Sequence, residues 1–341
     1  MRHLVWQEPG SLAWEEAEDP QPAPGEAIVA PLAAARCDLD PLMAAHGIFP
    51  GPYPVGHEVV GEVAAIGEAV QRHAVGERVV VPFQVSCGGC EACRDGRFAA
   101  CHTYRAQAGA AFGFGAAGGG HGGAVADLLR VPAADHMLQS APEGLDPVTL
   151  CLLPDNALDA YRAVAPGLAR SPGADVLVLG GAAATIGLYA VQLAVALGAA
   201  TVRYVDADAG RCQQAAGLGA EAIHHEGPWP RRFGRSAVTV DNTGDADGLA
   251  CTIRSTDDYG VCTPVAIHFT PTTPLPLLAM YTRGVTLEMG RADSRRDLAA
   301  VLRLARAGRF NPRRIDTRVA PFDAAPEAWL EEPGRKLVLE R

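Results

Sequence analysis

The chain has 341 residues, 48% of them hydrophobic, with 29 basic against 39 acidic side chains and a formal net charge of -10. That length exceeds the usual single-domain range and can bury more than one core, so two domains are expected. Scattered basic residues exclude a nucleic-acid surface, which needs clustered positive charge, and no apolar run reaches the ~18 residues of a membrane span.

The start, Met1-Arg2-His3-Leu4-Val5, lacks the apolar core of a signal peptide, which sets the expectation of a soluble, cytoplasmic protein. Through the first 150 residues, glycines and prolines separate short Val/Ile-containing runs at 27–30, 59–63 and 78–81. That texture predicts a compact β-rich domain. Cys37 and the cluster Gly56-His57-Glu58 fall within it. They are followed by Cys87, Cys90, Cys93 and Cys101, a C-x2-C-x2-C-x7-C run that lets one lobe, residues 84–104, fold around a tetrahedral zinc with four thiolates.

The cysteine count is nine, an odd number, which favours metal ligands and buried thiols over a disulfide framework. Cys151, Cys212, Cys251 and Cys262 sit in apolar or helical contexts and read as small buried hydrophobes. Gly113 to Gly123 is glycine-dense and reads as a mobile loop. Lys336 is the single lysine, so a Schiff-base mechanism would have one candidate near the C-terminus and is set aside.

From Leu158 the pattern changes. A helical stretch to Leu168 precedes the apolar run Asp175-Val176-Leu177-Val178-Leu179, a glycine turn, and helical periodicity from Ile186 to Leu197. Strand, glycine turn and helix open a βαβ unit. The turn, Gly180-Gly181-Ala182-Ala183-Ala184-Thr185-Ile186-Gly187, departs from G-x-G-x-x-G, with alanine as the least intrusive replacement where backbone must approach a pyrophosphate. Gly180, Gly181, Ala183, Ala184, Thr185, Ile186 and Gly187 are therefore candidate cofactor contacts.

The next strand, 201–205, ends at Asp206, about 20 residues beyond Gly187, where a carboxylate would accept the adenosine ribose hydroxyls and repel a 2′-phosphate. NAD(H) is thereby favoured over NADP(H). Arg211 reads equally as a ribose or adenine neighbour and as a solvated helix residue. Later β-like runs at 237–240 and 261–267 continue the alternation into a doubly wound parallel sheet. His268, just after the last of them, is a weaker candidate for acid-base work. Two helical pieces and a terminal apolar strand then return toward the first domain.

Taken in order, Cys37 with Asp40, Gly56-His57-Glu58-x2-Gly61, the four-cysteine lobe and Ile186-Gly187-Leu188-Tyr189-Ala190 ahead of an acidic residue resemble the zinc-dependent medium-chain alcohol dehydrogenase/reductase family over essentially the whole length. The resemblance implies a GroES-like catalytic domain over 1–153, a Rossmann domain over 154–290 and a return to the catalytic domain over 291–341. It implies one catalytic and one structural zinc, a small-molecule substrate and a homodimer or homotetramer assembled through the Rossmann domains. By the same resemblance Cys37, His57 and Asp155 are the catalytic zinc ligands, with Glu58 either a fourth ligand or a carboxylate that exchanges with water or substrate.

One departure bears on the reaction. The family carries Ser or Thr two residues after the cysteine ligand to start a proton relay, and here that position is Leu39; the histidine often found five residues after it is Leu42. The expected reaction is hydride transfer between NAD(H) and an alcohol/carbonyl pair. The missing hydroxyl keeps open reduction of an activated C=C or C=N bond, and the altered glycine turn keeps open a non-catalytic protein of dehydrogenase fold.

Overall fold

The computed structural model describes residues 1–49, 51–107, 109–331 and 334–341. The chain divides into two compact units, one of residues 1–158 and 293–341, the other of residues 159–292. The first boundary falls beyond residue 153 because Asp155 and Asn156 bond to residues of the first unit.

Among the described residues, the first unit holds a seven-stranded sheet in the order Thr317–Pro321, Lys336–Glu340, Ala27–Ala35, Glu58–Ile66, Arg78–Val81 and Gln139–Ser140, with Leu129–Val131 also on Ala27–Ala35. Pro31 lies inside the central strand Ala27–Ala35, where it cannot donate to the ladder, and the register shifts between Pro31 and Ala33 to accommodate it. A smaller sheet joins Ser11–Glu16, Arg2–Glu8 and Tyr53–Pro54. The core between these elements is mostly valine and alanine, including Val29, Val59, Val79 and Val131.

Register in this sheet gathers the candidate site. Ala35 pairs with Glu58, so the exit of one strand, at Cys37, lies beside the entry of the next, at His57 and Glu58. Val338 pairs with Ala35 on the other side, which places Lys336, two residues earlier on an antiparallel strand, abreast of Cys37.

The second unit is a six-stranded sheet in the order Glu221–His224, Val202–Asp206, Val176–Leu179, Ser236–Asp241, Thr256–Pro264 and Thr286–Leu287, parallel throughout. Numbered along the chain this is 3-2-1-4-5-6, the Rossmann arrangement, with ligand space at the carboxyl ends of the first and fourth strands. All four residues of Val176–Leu179 are buried, as a strand covered on both faces requires. The fifth strand begins earlier than the apolar run at 261–267 suggests and ends at Pro264; Val265 and Ala266 follow it as turn.

The glycine run 113–123, expected to be a mobile loop, is packed. Gly113 bonds Gly122 O at 2.7 Å, Phe114 and Gly118 are buried, and a Cβ on Gly113 would stand 2.6 Å from Gly56 O at a φ of +72°. Glycine is needed there because backbone passes against backbone next to His57. Gly113→Ala should cost about 2 kcal/mol or more from strain and close approach, read as a lowered urea midpoint; an unchanged midpoint would show that the loop yields freely.

Candidate metal centres and cofactor cradle

Each four-residue cluster brings its ligand atoms within 4.8 Å of one another: Cys37, His57, Glu58 and Asp155 in one, and Cys87, Cys90, Cys93 and Cys101 in the other. Among the described residues no other such cluster occurs.

The four-cysteine cluster is built on a turn, the short helix Glu91–Arg94 and the 3-10 turn Phe98–Ala100. None of the four is in a disulfide. The Cys87 sulfur accepts from Gly89 N, Cys90 N and the Thr103 hydroxyl at 3.1 to 3.4 Å, and the Cys90 sulfur accepts from His102 N at 3.2 Å. Hydrogen bonds from His102 and Cys93 hold the Cys90 thiol down at about 5. Donors aimed at sulfur suit thiolates, and four thiolates fit a closed tetrahedral zinc. Asp293 and Ser294, where the chain re-enters this unit, pin the lobe through Ala99 N at 3.2 Å and a reciprocal pair of bonds with Gln84.

The other cluster is buried. His57 Nε2 lies 3.3 Å from Asp155 Oδ2, while Nδ1 lies 3.8 Å from Asp40 Oδ1, too far for a hydrogen bond. Asn156 donates to the Cys37 sulfur at 3.1 Å and to Asp155 Oδ2 at 2.9 Å. Its carbonyl accepts from Lys336 Nζ at 2.6 Å; the same ammonium donates to Glu58 Oε1 at 2.6 Å and Arg36 O at 2.8 Å. Neither residue stands out in the sequence as a site residue. Asn156 has no motif, and the rarity of lysine is the one signal that pointed at Lys336. Phe114 packs edge-on against His57 and stacks on Phe49, whereas Phe112 belongs to the core. Leu39 is buried, and so are Cys151, Cys212, Cys251 and Cys262.

Charge explains why this cluster suits a cation. Burial lowers His57, but Asp40, Asp155 and Glu58 outweigh it and push the imidazole up to about 9. Burial, then Asp155, Asp40 and Glu58, push the Cys37 thiol far above its usual range. Glu58 Oε2 is buried without a hydrogen-bond partner. Protons thus occupy positions that a dication would take, and a soft thiolate, an imidazole and carboxylates are a zinc donor set.

The second unit offers a cradle at its switch point. A Cβ on Gly180 would stand 2.1 Å from Asp206 Oδ2, one on Gly181 2.7 Å from Thr243 Cα, and one on Gly187 2.9 Å from Asn242 Nδ2. Helix Ala184–Ala196 starts at Ala183 without a side-chain cap, placing Ala184, Thr185, Ile186 and Gly187 in its first turn. Uncapped N–H groups there suit a phosphate. Both polar side-chain atoms of Asn242, at the end of the fourth strand, are buried without a partner.

Asp206 ends its strand as expected, but its oxygens are engaged. They accept from Tyr204 OH at 2.6 Å, Asp208 N at 2.9 Å and Arg211 Nε and Nη2 at 2.8 and 2.7 Å. Arg211 is a partner of Asp206 and not a freely solvated helix residue. His268, in the same unit, lies 3.4 Å from the buried Asp241.

A model of the alcohol dehydrogenase GroES-like domain matches residues 23–142. A probable zinc-binding alcohol dehydrogenase of Mycobacterium tuberculosis is 34% identical, over 98% of this chain and 86% of that protein. The chain belongs to the zinc-binding alcohol dehydrogenases. The solved alcohol dehydrogenase TADH from Thermus sp. ATN1 is similar throughout, with a TM-score of 0.88 at 30% identity over 100% of this chain and 99% of that one. An acryloyl-coenzyme A reductase of Metallosphaera sedula is 34% identical over 55% of this chain and 53% of that protein. Membership of the zinc-binding alcohol dehydrogenases makes this chain a zinc oxidoreductase. No helix among the described residues is long and apolar enough to cross a membrane.

A metal at Cys37, His57 and Asp155 must displace the protons that raised pKa values keep on Cys37 and His57 at neutral pH. Below pH 9 binding should release about two protons and weaken by up to a hundredfold per pH unit, about tenfold per proton. Calorimetry of zinc binding in buffers of different ionisation enthalpy measures the count, with Cys37→Ser subtracting the four-cysteine lobe. A difference near zero would refute the charge assignment.

Proposed function

We propose that this oxidoreductase transfers a hydride between NAD(H) and an alcohol/carbonyl substrate, using Cys37, His57 and Asp155 as ligands of a catalytic zinc. The observation that carries the reading is the convergence of those three ligand atoms in one buried cluster. Zinc there supplies a Lewis acid for the substrate oxygen, and the nicotinamide gives or takes the hydride. Asn156 fixes the directions of Cys37 and Asp155 by donating to both, and Asp40 faces the far nitrogen of His57. Cys87, Cys90, Cys93 and Cys101 hold the second, structural zinc, which stiffens their lobe and takes no part in the reaction.

In the second unit, Gly180, Gly181 and Gly187 let the turn pack against Asp206, Thr243 and Asn242, and the uncapped helix that begins at Ala184 would present its N–H groups to the pyrophosphate. Asp206 receives the adenosine ribose hydroxyls, with Arg211 moving aside or sharing the carboxylate. The Asp206 carboxylate favours NAD(H), since it repels a 2′-phosphate. Asp206→Ala should move the NADH to NADPH ratio of kcat/KM at least about tenfold toward NADPH, by steady-state kinetics; an unmoved ratio would remove Asp206 from the cofactor site.

A second reading is supported by Leu39, a buried apolar residue where a hydroxyl would begin a proton relay. Without that hydroxyl a substrate oxygen has no side-chain proton path at this position, whereas hydride delivery to an activated C=C bond leaves an enolate that takes its proton at the α-carbon, from solvent, and not at the oxygen. The partial likeness to an acryloyl-coenzyme A reductase agrees with this. C4-deuterated NADH with an α,β-unsaturated aldehyde separates the two, with product deuterium located by NMR. Deuterium on the former carbonyl carbon is the expected outcome; deuterium on the β-carbon would replace it with conjugate reduction.

A further inference from the structure

Lys336 is the single lysine of the chain, and its side chain is fully buried. Its three donors are all used, on Glu58 Oε1, Asn156 Oδ1 and Arg36 O. An ammonium taken wholly out of water is retained only where anions and acceptors surround it. The anion here is Glu58, whose other oxygen is buried and unpartnered. Glu58 also presents an oxygen within 4.8 Å of the ligand atoms of Cys37, His57 and Asp155. A carboxylate so placed would be drawn by two cations, Lys336 and a metal held by Cys37, His57 and Asp155.

We propose that Lys336 is a positioning residue that keeps Glu58 a weak and displaceable neighbour of the metal, so that the fourth coordination position stays open to an incoming ligand. The inference rests on the reading of Cys37, His57 and Asp155 as ligands. The ammonium holds Oε1 and withdraws charge from the whole carboxylate, which weakens it as a metal donor. The tether is rigid because strand register sets it. Arg36 N donates to Leu337 O at 3.1 Å, which fixes the lysine backbone beside Cys37. Without the ammonium, Glu58 is a buried carboxylate whose remaining cation is the metal, and it closes the fourth position.

Cobalt-substituted full-length protein tests this through its d–d spectrum, with the Cys37→Ala variant subtracting cobalt bound in the four-cysteine lobe. Imidazole serves as the probe for the open position. Lys336→Met should change the cobalt spectrum and weaken imidazole binding by about tenfold to a hundredfold. Adding Glu58→Gln should restore both. A wild-type spectrum in Lys336→Met, or a defect that persists in the double variant, would overturn the inference while leaving the ligand assignment intact. If Lys336→Met does not fold, Glu58→Gln is compared with Lys336→Met/Glu58→Gln, in which no lone buried charge remains. Matching imidazole affinities support the inference and diverging ones overturn it. Absence of any cobalt signal that depends on Cys37 would overturn the ligand reading, and the inference with it.

Discussion

Three groups that carry negative charge when ionised, Cys37, Glu58 and Asp155, are buried together in one unit with the half-buried Asp40 beside them, and the architecture around them follows from keeping that charge tolerable. A buried carboxylate left without a partner costs about 3 to 5 kcal/mol when its counter-ion is removed. The protein meets this with Lys336, with a proton on His57, and with the Asn156 amide turned so that both N–H bonds point at anions and its oxygen at the ammonium. A metal held there would replace the protons. The same acidic groups that Lys336 and these protons offset would give a dication its affinity.

That arrangement depends on where strands end. Cys37 leaves a central strand, His57 and Glu58 enter its antiparallel neighbour, and Lys336 enters the strand on the other side. Three segments far apart in sequence meet at one end of three adjacent strands. Strand ends are suited to this because the ladder fixes backbone position while the last side chains turn toward the pocket. The glycines at 56 and 113 admit the tight backbone contact beside His57. Asp155 arrives just ahead of a helix, so its backbone is also held by regular structure.

In the second unit the same logic works with backbone instead of side chains. The first and fourth strands end side by side, Leu179 opposite Asp241, and the glycines that follow let the turn pack directly against Asn242, Thr243 and Asp206. The Tyr204–Asp206–Arg211 group balances a buried carboxylate locally. Both units thus hold a buried acidic group beside a cation, Lys336 at Glu58 and Arg211 at Asp206.

The sequence by itself determined the class of fold, the four-cysteine lobe and the parallel sheet, because each is written in local spacing: cysteine intervals, a glycine turn between an apolar run and a helical one, and an acid about 20 residues beyond it. Cys37, His57 and Glu58 stand out as residues, but their grouping as one ligand set came from the family resemblance. Asp155 needed the family resemblance, since an aspartate before a helix is also a common cap. The tertiary structure alone decided what pairs with what. Lys336 and Asn156 are ordinary in their local context, and their partners, Glu58 and Cys37, lie more than a hundred residues away along the chain. The packing of the 113–123 run was hidden for a like reason. Composition describes how freely a segment can bend, but only the neighbours supplied by strand register decide whether it has room to move or a charge to meet.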